Sequence, residues 1–153
     1  MVQDGLPGRA GDQSLSIEDV AAFVQARIPH CRPFDGHIAA RPIFLDGEMI
    51  AAVVWHNYDA WAGNVEVAIA ADSPRWIGKE RLEVLFHFPF IAMGCRRVTA
   101  RISSANKRSQ KLCSGLGFQL EGLMRKASPD GNDMLIYGLL KEECRFLRKE
   151  WLE

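Results

Sequence analysis

The sequence predicts a mixed α/β (α+β) fold, one mostly antiparallel sheet with helices on both faces, on three observations. Apolar residues alternate at 65–69 and 98–102, the period of strands whose side chains point to opposite faces. They recur at helical offsets at 17–28, 82–93 and 109–116. Turn and cap residues separate these runs (Asp46-Gly47, Asn106, Gly117, Asp130-Gly131), so helical and strand segments mix along the chain.

In order, residues 1–13 are rich in Gly, Asp and Gln around Pro7 and read as a flexible leader, which leaves 14–153 as the folded domain. Ser16, with Asp19 three positions on, opens a helix whose apolar face is Ile17, Val20, Ala21, Val24 and Ile28 and which ends before Pro29. Residues 42–45 and 49–56 flank Asp46-Gly47 as a hairpin. A polar loop at 57–63 leads to a strand in which Val65, Val67 and Ile69 alternate with Glu66, Ala68 and Ala70, ending at Asp72-Ser73-Pro74. Leu82, Leu85 and Phe86 mark a second helix that Pro89 should bend or end near residue 88. Val98, Ala100 and Ile102 form the next strand. Asn106 caps a third helix with a stripe of Ser109, Leu112, Cys113 and Leu116, stopped by Gly117. Strands at 118–125 and 134–140 surround the turn residues 128–131. Leu140, Cys144, Leu147 and Trp151 predict a packed C-terminal helix.

At 153 residues and 48% hydrophobic, the chain is long and apolar enough for one substantial core. Lys plus Arg and Asp plus Glu are 19 each, so no global positive charge favours nucleic acid, although Arg96, Arg97, Arg101, Lys107, Arg108 and Lys111 cluster in sequence. The four cysteines make no CxxC pair, and no metal site is expected. With no secretory apolar segment and no run near the ~20 residues of a membrane span, a cytoplasmic protein with reduced thiols is expected.

The run Asn106-Lys107-Arg108-Ser109-Gln110-Lys111-Leu112-Cys113-Ser114-Gly115-Leu116-Gly117-Phe118 carries a specific pattern. Glu121-Gly122, Arg125, Asp130-Gly131, Asp133 and Tyr137-Gly138-Leu139-Leu140 follow it. With these, residues 64–140 resemble the GNAT superfamily of acetyl-CoA-dependent N-acetyltransferases, and most of all its protein N-terminal (ribosomal-protein-type) branch. The resemblance implies a sheet splayed between the strands at 64–70 and 97–102, with the pantetheine of acetyl-CoA in the opening. It also implies acetyl transfer to a primary amine by direct attack. The amine is a protein or peptide N-terminus by branch resemblance, or a small metabolite or antibiotic amine.

The same resemblance points to site residues. Arg75 and Gly78, with Lys79 in second place, match the loop that holds the pyrophosphate where a helix begins, a ready anion site. Glu80 departs from that pattern, standing where a small residue is expected. Backbone N–H groups of Val67, Ala68 and Ile69 would face the pantetheine and the carbonyl, and Asn106 and Ser109 would lie near the same arm. Glu66 is the candidate general base; its bland reading is the solvated side of a strand. Ala68 and Ala70 on its side suggest room for substrate. Cys113 stands where many members carry a general-acid Tyr, and it serves either as that acid or as a small buried hydrophobe. Glu80 and Cys113 together support an alternative, a catalytically inactive acyl-CoA-binding or protein-interaction module of the same fold. Exposed tryptophans or the C-terminal helix would support a homodimer.

Overall fold

The computed structural model describes residues 15–153, so the leader expected at 1–13 lies outside the described residues. Helix α1 (Ile17–Arg27) starts at Ser16, whose hydroxyl accepts from Asp19 N at 3.0 Å while Ser16 N donates to Asp19 Oδ2 at 3.2 Å. The shorter Asp thus closes the capping box that Glu usually closes. Val20, Ala21, Phe23 and Val24 bury one face of α1 against Ala40, Ala52, Val54 and Ala70. Strands β1 (Ala39–Leu45) and β2 (Glu48–Asp59) form the expected hairpin. Asp46 and Gly47 both adopt positive φ (53° and 81°), the conformation a two-residue hairpin loop requires. Arg27 on the last turn of α1 grips Asp72 with two bonds of 2.6 and 3.0 Å.

The strand order is β1-β2-β3-β4-β6-β5, with β3 spanning Asn64–Ala71, β4 Arg97–Ser103, β5 Gln119–Met124 and β6 Met134–Leu140. β1 with β2, β4 with β6 and β5 with β6 run antiparallel, and β3 with β4 runs parallel. The chain comprises two compact units: residues up to Asn57 with Val67–Trp76, and Tyr58–Glu66 with Ile77–Glu153.

In the second unit, α2 (Lys79–His87) does not stop at Pro89 but widens into a π-turn over Phe88–Ala92, in which Met93 N reaches Phe88 O at 2.9 Å. Proline has no N–H to donate and crowds the carbonyl four residues back; the wider turn accommodates both. Helix α3 (Lys107–Leu116) ends at Gly117, whose φ of 103° lets Phe118 N return to Cys113 O at 3.0 Å.

Arg97 and Glu121 pair at 2.7 Å directly over Gly138 of β6, where an added Cβ would collide with both side chains. The Gly138→Ala variant is expected to lose no more than about 1 kcal/mol in denaturant unfolding, because the flexible ends of both side chains can swing aside and a part-exposed ion pair is worth little. A loss above about 2 kcal/mol would show that the pair is held rigidly in place.

The C-terminal helix predicted from Leu140, Cys144, Leu147 and Trp151 does not form. Only 3₁₀ turns appear, at Lys141–Glu143 and Lys149–Trp151. Successive side chains are claimed by different partners. Arg145 donates to Gly115 O at 2.6 Å, Phe146 stacks on Phe86 at 5.4 Å, Arg148 bonds the buried Glu83 at 3.0 Å, and Trp151 meets His87 edge-on at 4.7 Å. Residues 145, 146, 148 and 151 do not share one helical face, so these contacts favour an irregular strap.

Candidate active site

The β3–β4 ladder is short. It pairs Asn64 with Arg97, Val65 with Val98 and Glu66 with Thr99, and there the register ends, while β4 continues against β6 as far as Ser103. Side chains lock the last paired rungs: the Thr99 hydroxyl donates to Asn64 Oδ1 at 2.7 Å and accepts from Arg97 Nε at 3.1 Å. Glu66, the final paired residue of β3, is half-buried, and no hydrogen bond or ion pair engages its carboxylate among the described residues.

Beyond Glu66, Val67 is buried and Ile69 half-buried. The room expected beside Ala68 and Ala70 is absent: Ala70 belongs to the cluster built on Val20 and Val24 of α1, and Ala68 packs against it. That side of the strand is core, so what Val67, Ala68 and Ile69 can offer a ligand is their main chain.

The first turn of α2 is bare. Gly78 is its N-cap and supplies no side-chain hydrogen bond, and a Cβ there would meet nothing within 4 Å. Main-chain N–H groups at such an end receive an anion readily, and Lys79 is exposed on the same turn. Glu80 is also exposed, so its carboxylate can turn to solvent instead of toward an incoming anion. These features fit a diphosphate. Arg75 is exposed on the 3₁₀ turn Pro74–Trp76, and its guanidinium lies 4.0 Å from Asp46.

Asn106 caps α3 by accepting from Ser109 N at 3.2 Å, and Ser109 is half-buried. Cys113 is 5% exposed, and burial pushes its thiol up to about 12. An acid that weak gives its proton uphill to an ordinary thiolate, whose reference value is near 8.5. With Leu116 it forms the buried part of the α3 stripe, and packing accounts for it. The Cys113→Ala variant is therefore expected to keep acetyl-transfer activity within about threefold while losing about 1 kcal/mol of stability. A hundredfold loss of activity without unfolding would restore it as a proton donor.

The turn at 128–131, which carries the Asp130-Gly131 pair of the family pattern, is tied to β4. Asp130 accepts from Ser103 Oγ at 2.6 Å and from Asn132 N at 3.0 Å, which with Ser128 holds its carboxyl well below the usual range. Asp133 accepts from Lys126 N at 2.9 Å. Around the polar loop at 57–63, His56 rests against Phe34 at 4.8 Å, Asp59 accepts from Ala62 N at 3.1 Å, and Trp61 is 97% exposed. Among the described residues no three His, Cys, Asp or Glu gather as metal ligands, and no helix is long and apolar enough to cross a membrane.

A six-strand, mostly antiparallel sheet with helices, in which the parallel β3–β4 ladder has three rungs, matches the fold of the GNAT acetyltransferases. Known relatives point to the same family. The chain is 28% identical over 102 residues to the uncharacterized N-acetyltransferase p20 of Bacillus licheniformis, covering 63% of this chain and 57% of that one. A solved structure provisionally assigned as an acetyltransferase is 26% identical, with a TM-score of 0.62 over 71% of this chain and 60% of its own. Mycobacterium smegmatis RimJ, in complex with CoA-disulfide, is 24% identical with a TM-score of 0.60, over 71% and 55% of the two chains. Ribosomal-protein-S5-alanine acetyltransferase from Vibrio fischeri is 20% identical with a TM-score of 0.55, over 65% and 58%. The last two likenesses are of fold. No family model matches, and the chain spans about three fifths of the length of the first two of these relatives.

Proposed function

We propose that this chain transfers an acetyl group from acetyl-CoA to the α-amine of a protein or peptide N-terminus, in the cytoplasm. The observation that carries the reading is the short β3–β4 ladder, whose register ends at Glu66 after three rungs. The first turn of α2, with Gly78 and Lys79, takes the pyrophosphate, and Arg75 adds a cation. The N–H groups of Val67, Ala68 and Ile69 hold the pantetheine and steady the charge that grows on the carbonyl oxygen. Asn106 and Ser109 orient the same arm. Acetyl-CoA supplies a thioester: the amine nitrogen bonds to its carbonyl carbon, the C–S bond breaks, and the thiolate leaves.

Glu66 takes the proton shed by the attacking nitrogen, directly or through water. Cys113 returns none, so solvent protonates the thiolate. An α-amine suits this equipment. Its reference value of about 7.7–8.0 leaves much of it neutral near pH 8, whereas a lysine-type amine at about 10.4 needs stronger help. Free cysteines throughout agree with a reducing compartment.

A second reading, an acyl-CoA-binding module without turnover, is favoured by Glu80 on the first turn of α2 and by the weak acidity of Cys113. Incubating the protein with acetyl-CoA and peptides bearing free N-termini, spermidine or free lysine separates the two. Thiol release with free-N-terminal peptides, abolished when the same peptides are pre-acetylated, is the expected result. Thermal stabilisation by CoA without thiol release from any amine would favour the binding module. Neither release nor stabilisation would remove both.

A further inference from the structure

The sheet ends on β5, and among the described residues its outer edge pairs with no further strand. Five of its six residues are exposed, among them Leu120 (57%), Leu123 (54%) and Met124 (46%). Natural edge strands are guarded by proline, by charge or by a covering element, because their unpaired N–H and C=O groups invite another strand. The opposite edge strand, β1, carries Arg41 and Pro42. On β5 the only charged residue is Glu121, and Arg97 already neutralises it within the same chain at 2.7 Å.

The register adds a second feature. A bulge between Leu120 and Gly122 sets Leu120 opposite Tyr137 and Leu123 opposite Leu135, two positions apart on β6. Both leucines therefore lie on one side of the sheet, although three residues separate them in sequence. From this geometry we infer that β5 pairs with β5 of a second copy of the chain, antiparallel about a two-fold axis lying between Glu121 and Gly122. In that register each Leu120 faces the other copy's Leu123, giving two apolar cross-strand pairs on the same side, and each Met124 faces Gln119. Arg125 and Lys126 fall opposite Phe118 and Gly117, so the cations after the strand do not meet one another. The one like-charge approach, Glu121 near its copy at the axis, is defused by Arg97 in each chain.

Six residues of strand edge are a small contact beside the roughly 1,200 Å² of a stable interface, so the dimer is reversible and concentration-dependent. The test is sedimentation equilibrium from low micromolar to several hundred micromolar protein, with amide hydrogen exchange at both ends of the range. The wild type is expected to rise from the 17.1 kDa chain mass toward twice that value, with protection of residues 119–124 growing in step. Leu120→Lys/Leu123→Lys is expected to stay at the chain mass with an unchanged melting temperature, since both leucines are more than half exposed. Leu152→Lys, at an equally exposed leucine elsewhere, should dimerise like the wild type. A wild type that remains monomeric throughout, or a dimer that forms without added protection of β5 or survives the double substitution, overturns the inference. None of these readouts depends on acetyl transfer.

Discussion

Gly78→Asp is expected to raise the KM for acetyl-CoA about tenfold or more while leaving the melting temperature unchanged or slightly higher. The two effects share one cause. Gly78 is the N-cap of α2 and contributes no side-chain acceptor. Asp is among the best N-cap residues, and its carboxylate would accept from the N–H groups of the first turn and sit favourably against the helix dipole, which stabilises the helix by a few tenths of a kcal/mol relative to Gly. The same carboxylate would occupy, and repel anions from, the place assigned to the pyrophosphate. Tenfold corresponds to about 1.4 kcal/mol of lost binding, within reach of one displaced charge at a helix end. Saturating acetyl-CoA should bring kcat back to within about threefold, because binding and not chemistry is impaired. If acetyl-CoA binds the variant as tightly as the wild type, as measured by calorimetry, the pyrophosphate lies elsewhere and the assigned roles of Arg75 and Lys79 go with it.

Glu66→Gln is expected to lower kcat by about a hundredfold near neutral pH with little change in the KM for acetyl-CoA. Removing a general base typically costs 10²–10⁴ in rate. The lower end is expected because part of the α-amine is already neutral without help. The deficit should narrow as pH rises, since the neutral amine becomes abundant and solvent can take the proton. Gln keeps the size of Glu, and no protein group is bonded to the Glu66 carboxylate among the described residues, so folding should not suffer. Activity within threefold of wild type at neutral pH would reduce Glu66 to the polar side of a half-buried strand.

Local chemistry made much of this legible in advance. The α1 capping box, the Asp46-Gly47 turn, the Asn106 cap and the left-handed Gly117 stop each depend on residues within a few positions of one another, and each stands where the sequence placed it. Period-two alternation located β3 and β4, where Val65 and Val67, and Val98, Ala100 and Ile102, are buried. The C-terminal strap shows where this kind of reading stops. Leu140, Cys144, Leu147 and Trp151 have helical spacing, yet the partners that decide the backbone are Phe86, Glu83, Gly115 and His87, far away in sequence. Ala68 and Ala70 failed similarly: small residues read as open space, and α1 fills it. Cys113 stood undecided between acid and hydrophobe until its burial was known, and burial is a property of the neighbours.

Up to Leu140 the sequence by itself determined which segments are helix or strand, where they turn, and the family pattern from Asn106 onward, because propensity, capping and turn geometry act over a few residues. Only the tertiary structure decided that the β3–β4 register ends at Glu66, that Arg97 and Glu121 close over Gly138, and that β5 ends the sheet with its leucines on one side. Those depend on register between strands distant in the chain, and a shift of one residue, invisible to any local pattern, would turn every side chain to the other face.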